Sequence, residues 1–108
     1  MMNSVVKVVQ PSGILDGIRG KQLRQEINDI IETQVDIVLI DLQNVKFMDS
    51  SGLGALVSAH KMVQNTGAKL FLCSINEQAQ MLLNLTKMNR LFEIFANRDE
   101  FEQKVISR

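Results

Sequence analysis

The 108-residue chain has no tryptophan and no tyrosine, and it contains only one cysteine, one histidine and one proline. Without Trp or Tyr it lacks the usual aromatic platform on which single-stranded bases stack. One cysteine cannot close a disulfide within the chain, and one cysteine with one histidine cannot complete a zinc site rich in these ligands. We therefore expect a cytoplasmic protein with no bound metal and no cofactor.

An excess of charge of one sign and long apolar runs are also absent. Twelve Lys and Arg residues balance twelve Asp and Glu residues, so the formal net charge is zero. Proteins that bind the nucleic-acid backbone usually carry a basic surplus, so nucleic acid is not an expected partner. The longest apolar runs, at 37–40 and 70–73, have four residues each. Such runs are far too short for a membrane-spanning helix, and we expect no membrane insertion.

The composition that is present is typical of one packed domain. Hydrophobic residues make up 45% of the chain and charged residues 22%, a balance that excludes disorder as the default state. No linker, internal repeat or low-complexity segment interrupts the sequence. We expect residues 1–108 to form a single domain.

The first third of the chain contains strand, turn and helix signals in that order. β-Branched residues at 5–9 and the short apolar pair at 14–15 flank the turn residues at 11–13, which predicts an antiparallel hairpin. Apolar residues then recur at helical spacing over about 19–34, with Asp16 placed to cap the helix.

Two nearly continuous apolar runs, at 36–41 and 69–73, predict strands that are buried in the middle of a sheet. Between them, the apolar residues of 50–65 fall on one helical face and the pattern ends at Gly67. A helix that connects two strands of one sheet makes a parallel crossover. The two strands are therefore expected to run in the same direction.

The last third of the chain contains two candidate capping boxes. Ser74 with Glu77, and Asn97 with Glu100, have the spacing that begins a helix. A short strand is expected at 92–95 between these two helices. The predicted fold is an α/β domain with a mixed sheet of four to five strands and about four helices.

The sequence Asp-Ser-Ser-Gly-Leu-Gly at 49–54 opens the second predicted helix. Backbone N–H groups at a helix start lack partners within the helix, and the positive end of the helix dipole favours an anion there. A phosphate on Ser50 would fit this end without unfolding the helix and would add about 1.5 to 2 negative charges beside Asp49. Gly52 and Gly54 are poor helix formers, which predicts close approach of a partner's backbone. On this pattern alone, Asp49 and Ser50 are expected to be helix-cap residues.

The string Phe-Met-Asp-Ser-Ser-Gly-Leu-Gly at 47–54 resembles the signature of the bacterial anti-sigma factor antagonists. Their fold is called the STAS domain, and the resemblance therefore implies a single STAS-type α/β domain. Weaker similarity extends to 13–16, 38–41 and 90–95, so that it covers nearly the whole chain. One departure is Lys87, which stands where many members of the family have glycine.

The resemblance implies a switchable binding module and not an enzyme, with no catalytic residues. By this resemblance, Ser50 is the residue that an anti-sigma factor with serine kinase activity phosphorylates. The unphosphorylated antagonist binds the anti-sigma factor and so frees a sigma factor, and a PP2C-type phosphatase restores this state. We expect the domain to be a monomer and to bind its partner through Asp16, Asp49, Ser50, Ser51, Gly52 and Gly54.

Two other classes of protein share part of this pattern. A phosphoaspartate receiver domain also places an aspartate at a strand end, as Asp41 is here, but the acidic pair that holds magnesium is missing after the first strand. A constitutive STAS adaptor of a transporter or signalling assembly, without phosphorylation, remains open. His60 lies on an apolar helix face and Cys73 in an apolar run, so we expect both side chains to have packing roles.

Overall fold

The computed structural model describes residues 4–107, so both ends of the domain expected at 1–108 lie outside the described residues. Strands and helices alternate along most of this length, in the order β1 (Val6–Val9), β2 (Gly13–Leu15), α1 (Gly17–Ile31), β3 (Ile37–Asp41), β4 (Val45–Met48), α2 (Ser50–Gln64), β5 (Lys69–Cys73), α3 (Glu77–Leu85), β6 (Ile94–Phe95) and α4 (Arg98–Phe101). A 3₁₀ turn at Met88–Arg90 precedes β6, and a π-helical turn at Glu102–Ile106 follows α4. The predicted α/β class is confirmed.

The strands form two separate sheets. Four of them make one sheet in the order β1-β3-β5-β6, and β2 with β4 makes a second sheet of two strands. The pairing of β3 with β5 is parallel, as predicted. Every residue of β3 is buried because the strand lies between β1 and β5 and both of its faces are covered.

The predicted antiparallel hairpin between the first two strands is wrong. β1 pairs in parallel with β3, and β2 pairs in parallel with β4, so the two strands belong to different sheets. Gly13, the first residue of β2, adopts a left-handed φ of 74°, and its N–H donates to the carbonyl of Asn44 at 2.9 Å. The turn therefore carries the chain from one sheet to the other. The predicted mixed sheet is replaced by two sheets whose pairings, within residues 4–107, are all parallel.

Two of the predicted helix caps are confirmed. The carboxylate of Asp16 accepts from the N–H groups of Ile18 at 3.1 Å and Arg19 at 3.0 Å, and α1 begins at Gly17. Asn97 caps α4 through its side-chain oxygen, which accepts from the N–H of Glu100 at 2.9 Å. Each of these side chains satisfies N–H groups that have no partner inside the helix.

The predicted capping box at Ser74 is wrong. Asn76 caps α3, since its side-chain oxygen accepts from the N–H of Ala79 at 2.9 Å, and Ser74 adopts a left-handed φ of 60°. Lys87 also adopts a left-handed φ, of 62°. This is a conformation that glycine adopts without strain, so Lys87 keeps the backbone that a glycine would favour at this position.

The core lies on both faces of the four-stranded sheet. Val38 and Ile40 of β3 pack into a cluster with apolar residues of α1, α2 and α3, whereas Ile37 and Leu39 pack with Phe101 and the C-terminal turns. Alternate residues of β3 thus serve two cores, which explains its continuous apolar sequence. No helix among residues 4–107 is long and apolar enough to cross a membrane.

Candidate functional site

The candidate site is the start of α2. Asp49 is the N-cap residue, with an extended backbone, and its carboxylate accepts from the N–H of Gly52 at 2.9 Å. Ser50 is the first residue of the helix, and both Ser50 and Ser51 are exposed. Asp49 therefore caps the helix, and the Ser50 hydroxyl lies at the surface.

The two glycines of this segment have different surroundings. Gly52 is buried, and a Cβ added to it would lie 1.9 Å from the carbonyl oxygen of Leu15. The backbone that approaches Gly52 is therefore that of this chain, and not that of a partner as the sequence predicted. Gly54 is exposed, and an added Cβ would meet nothing within 4 Å.

The start of α1 lies beside the start of α2. Leu15, which directly precedes Asp16, accepts a hydrogen bond from the N–H of Asp49 at 3.2 Å through its carbonyl. A Cβ added to Gly17 would lie 3.7 Å from the Cβ of Ser51. The structure thus brings the two capping aspartates and the two serines to one end of the molecule, where two helix dipoles present their positive ends.

An exposed apolar surface adjoins these residues, and sequence reasoning missed it. Ile14 of β2 and Phe47 of β4 are register partners, and 53% and 47% of their respective surfaces are exposed. Ile18, in the first turn of α1, is 74% exposed. Exposed apolar side chains that lie close together are typical of protein-binding sites. The signal available in the sequence was Phe47, an aromatic residue beside the polar loop.

Two amide side chains, one on α3 and one at its N-cap, form hydrogen bonds with the backbone of β4. Gln78 accepts from the N–H of Met48 and donates to its carbonyl, both at 2.8 Å. Asn76 donates to the carbonyls of Val45 at 3.2 Å and Lys46 at 3.1 Å. No sequence pattern indicated these contacts, because the partners are about thirty residues apart along the chain.

Comparison with known proteins identifies the family to which this chain belongs. The family model described as STAS domain matches residues 2–101. This chain belongs to the STAS family. The match covers nearly the full length of the chain, and it confirms the resemblance drawn from the 49–54 motif.

Two curated relatives of this chain are described as anti-sigma factor antagonists. This STAS domain is 29% identical over 93 residues to the anti-sigma F factor antagonist of Paenibacillus polymyxa, covering 85% of this chain and 80% of that protein. It is 32% identical over 88 residues to the anti-sigma-B factor antagonist of Bacillus subtilis strain 168, covering 82% and 80%. The solved structure of the Bacillus cell fate determinant SpoIIAA in the phosphorylated form superposes with a TM-score of 0.72 at 20% identity, covering 97% of this chain and 95% of that one. The last likeness shows the shared fold.

Asp41 of this STAS domain is buried at the end of β3 and accepts several hydrogen bonds. It is 1% exposed, and its carboxylate accepts from Arg98 at 2.7 Å, from the N–H of Gln43 at 3.0 Å and from Gln10 at 3.2 Å. Burial alone would raise the pKa of Asp41, but the hydrogen bonds from Arg98 and Gln43 and the positive charge of Arg98 outweigh it and lower the pKa below its ordinary value.

The predicted packing roles of His60 and Cys73 are confirmed. His60 is half-buried with its ring edge-on to Phe92 at 5.5 Å between centroids, and burial lowers its pKa. Cys73 is fully buried, and burial raises the pKa of its thiol, which disfavours the reactive thiolate. Across residues 4–107 no cluster of three or more His, Cys, Asp or Glu side chains is arranged to hold a metal ion.

Proposed function

We propose that this STAS domain is an anti-sigma factor antagonist whose partner binding is switched by phosphorylation of Ser50. The observation that carries the proposal is the exposed Ser50 at the first position of α2, with Asp49 as the capping residue. Because the cap does not depend on the serine, its hydroxyl can accept a phosphoryl group without loss of the helix start.

A phosphate on Ser50 would change binding more than folding. It would add about 1.5 to 2 negative charges beside Asp49 and near Asp16, while the starts of two helices would partly stabilise that charge. The volume and the charge of the phosphate would both oppose the binding of a partner that packs closely on this end of the domain. A solved structure of the same fold is described as a phosphorylated form of SpoIIAA, which supports a modification that the fold tolerates.

The partner is an anti-sigma factor with serine kinase activity. In the unphosphorylated state this STAS domain binds it and relieves inhibition of a sigma factor, and a PP2C-type phosphatase regenerates that state. The two sequence relatives support an anti-sigma factor as the partner, because both are described as antagonists of anti-sigma factors.

The proposed docking surface combines polar and apolar side chains. Asp49 and Ser51 flank Ser50 in the chain, Asp16 caps the neighbouring helix, and Gly54 allows close approach because it is exposed and a Cβ added to it would meet nothing within 4 Å. The neighbouring apolar surface of Ile14, Ile18 and Phe47 extends the area that a partner can bury. Gly52 is buried and contributes to this surface indirectly, because its lack of a side chain lets α2 pack against the backbone of Leu15. We propose that the domain acts by binding, as a monomer, in the cytoplasm, and without a cofactor.

Phosphorylation by the anti-sigma factor kinase of the source organism tests this function. The purified domain is incubated with the kinase and ATP, and the phosphate is mapped by mass spectrometry. We expect one phosphate on Ser50, no labelling in Ser50→Ala, and normal labelling in Ser51→Ala, a matched change at the adjacent exposed serine. Unchanged labelling of Ser50→Ala would contradict the proposal, and binding without any labelling of the wild-type domain would favour the constitutive adaptor.

A further inference from the structure

The peptide unit between Met48 and Asp49 is held from two sides. Its carbonyl accepts from the side-chain amide of Gln78 at 2.8 Å, and its N–H donates to the carbonyl of Leu15 at 3.2 Å. The preceding peptide is held as well, because the N–H of Met48 donates to the side-chain oxygen of Gln78 at 2.8 Å. One glutamine side chain therefore makes the two hydrogen bonds that a neighbouring β-strand residue would make.

These bonds fix the backbone directly before the phosphorylatable serine. Asp49 and Ser50 follow Met48 without an intervening residue, and the Asp49 carboxylate must point at the N–H of Gly52 to cap α2. The cap, and with it the direction in which Ser50 faces, depends on the orientation of the Met48–Asp49 peptide. Both bonds of Gln78 are partly buried, so water replaces them poorly if they are lost.

We propose that Gln78 is a positioning residue of the Ser50 switch. It holds β4 and the Asp49 cap in the conformation that the kinase and the anti-sigma factor recognise. The inference rests on the proposed function, because it assigns a residue to the regulation of the same site. If the bonds are lost, the loop occupies this conformation for a smaller fraction of the time, and the apparent affinity of any partner falls by that fraction.

Loss of the Gln78 bonds leaves α3 attached to β4. Asn76 still caps α3 and still donates to the carbonyls of Val45 and Lys46. Leu83, also on α3, remains in the main core, where it is fully buried. We therefore expect a Gln78 variant to fold, with its effect concentrated at the Met48–Asp49 peptide.

The test compares Gln78→Met with Gln80→Met. Both variants exchange a glutamine of α3 for an unbranched side chain without an amide, but the side-chain amide of Gln80 donates to Asn84 of the same helix, at 2.9 Å, and not to β4. In the free domain, amide hydrogen exchange at Met48 should be about tenfold faster in Gln78→Met and unchanged in Gln80→Met. With the kinase, the KM for the domain should rise about fivefold in Gln78→Met. The kcat should stay close to the wild-type value, because at a saturating concentration of the domain every kinase molecule holds a domain in the conformation that it recognises.

Gln78→Glu covers the case in which Gln78→Met does not fold. It keeps an acceptor for the Met48 N–H, but a carboxylate has no donor, so its second oxygen would face the Met48 carbonyl oxygen where the amide now donates at 2.8 Å. Because these two oxygens repel each other, the KM of Gln78→Glu should also rise above that of the wild type. A KM for Gln78→Glu equal to that of the wild type, or equal effects of Gln78→Met and Gln80→Met, would overturn the assignment of Gln78. Either result with normal labelling of Ser50 would leave the proposed function intact, whereas a wild-type domain unlabelled at Ser50 would overturn both.

Discussion

Two aspartates at the ends of neighbouring chain segments have opposite environments. Asp41 ends β3 inside the four-stranded sheet, is 1% exposed, and accepts hydrogen bonds from Arg98, Gln43 and Gln10. Asp49 follows β4 of the two-stranded sheet, is half-buried, and caps α2 by accepting from one N–H.

The two environments indicate different roles for these aspartates. Groups of the same chain donate hydrogen bonds to Asp41, and its ion pair with Arg98, the first residue of α4, ties that helix to the end of the sheet. At Asp49 the chain satisfies the helix start and leaves exposed hydroxyls and apolar side chains beside it. This is why we propose the Asp49 region, and not the Asp41 region, as the surface that a partner binds.

The largest expected effect in the Asp49 region comes from Gly52→Ala. The new Cβ would lie 1.9 Å from the carbonyl oxygen of Leu15, and neither backbone can move without displacing β2 or α2. We expect the free energy of unfolding, measured with denaturant, to fall by about 3 kcal/mol or more.

Gly54→Ala is the matched control. It changes an exposed glycine of the same helix that has no neighbour within 4 Å of the added Cβ, so we expect a gain in stability of about 0.5 to 1 kcal/mol. Equal effects of the two substitutions would contradict the assignment of Gly52 as the contact between α2 and β2.

The second effect concerns Asp41→Asn, which removes the negative charge from the buried cluster and weakens the bond with Arg98. We expect a loss of about 1.5 kcal/mol in the free energy of unfolding near neutral pH, because Arg98 can still reach solvent. The pKa of Asp41 lies below its ordinary value of 3.8 in the folded protein. Its stabilisation is therefore present above that value and is lost as the pH falls through the lowered pKa. Acid unfolding curves should be shallower for Asp41→Asn, and parallel curves would contradict this account.

The third effect is that of Asp49→Ala, which removes the cap of α2. The N–H of Gly52 loses its acceptor, and a lost cap costs about 1 kcal/mol of stability. Thermal unfolding measures this loss. Asp49→Ser, which retains a capping oxygen, should recover most of it, and failure to do so would show that Asp49 stabilises the domain by another route.

The smallest effect is a pH dependence from His60, outside both regions. Burial lowers the pKa of His60 from its ordinary value of 6.5, so the unfolded chain takes up a proton at a higher pH than the folded domain does. The free energy of unfolding should therefore fall as the pH drops through 6.5 toward the lowered pKa. His60→Gln should flatten this slope, measured by denaturant unfolding at several pH values. An unchanged slope would assign the dependence to other groups.

Much of the fold was predictable because the decisive signals are local. The caps at Asp16 and Asn97, the buried run of β3 and the apolar face of α2 are all read from a few neighbouring residues. The start of α2 and its exposed serine followed from the same kind of signal. That Asp16 lies beside it depends on the packing of α1 on α2.

The errors and omissions concern partners that are distant in the sequence. The turn at Gly13 has hairpin chemistry, but which strand β2 pairs with is decided by the burial of Leu15 beside Met48. β4 was missed because it is short, and its register with β2 is irregular. The neighbour of Gly52 and the contact of Gln78 with Met48 depend on the assembled fold, and local patterns do not encode them.

The most direct test of the central claim is the affinity of the anti-sigma factor for two forms of the domain. Calorimetry compares the unphosphorylated domain with domain carrying one phosphate on Ser50, while circular dichroism confirms that both are folded. We predict that phosphorylation weakens binding at least about 100-fold, because the charge enters a closely packed surface beside Asp49. Equal affinities of the two folded forms would contradict the proposal that Ser50 is the switch.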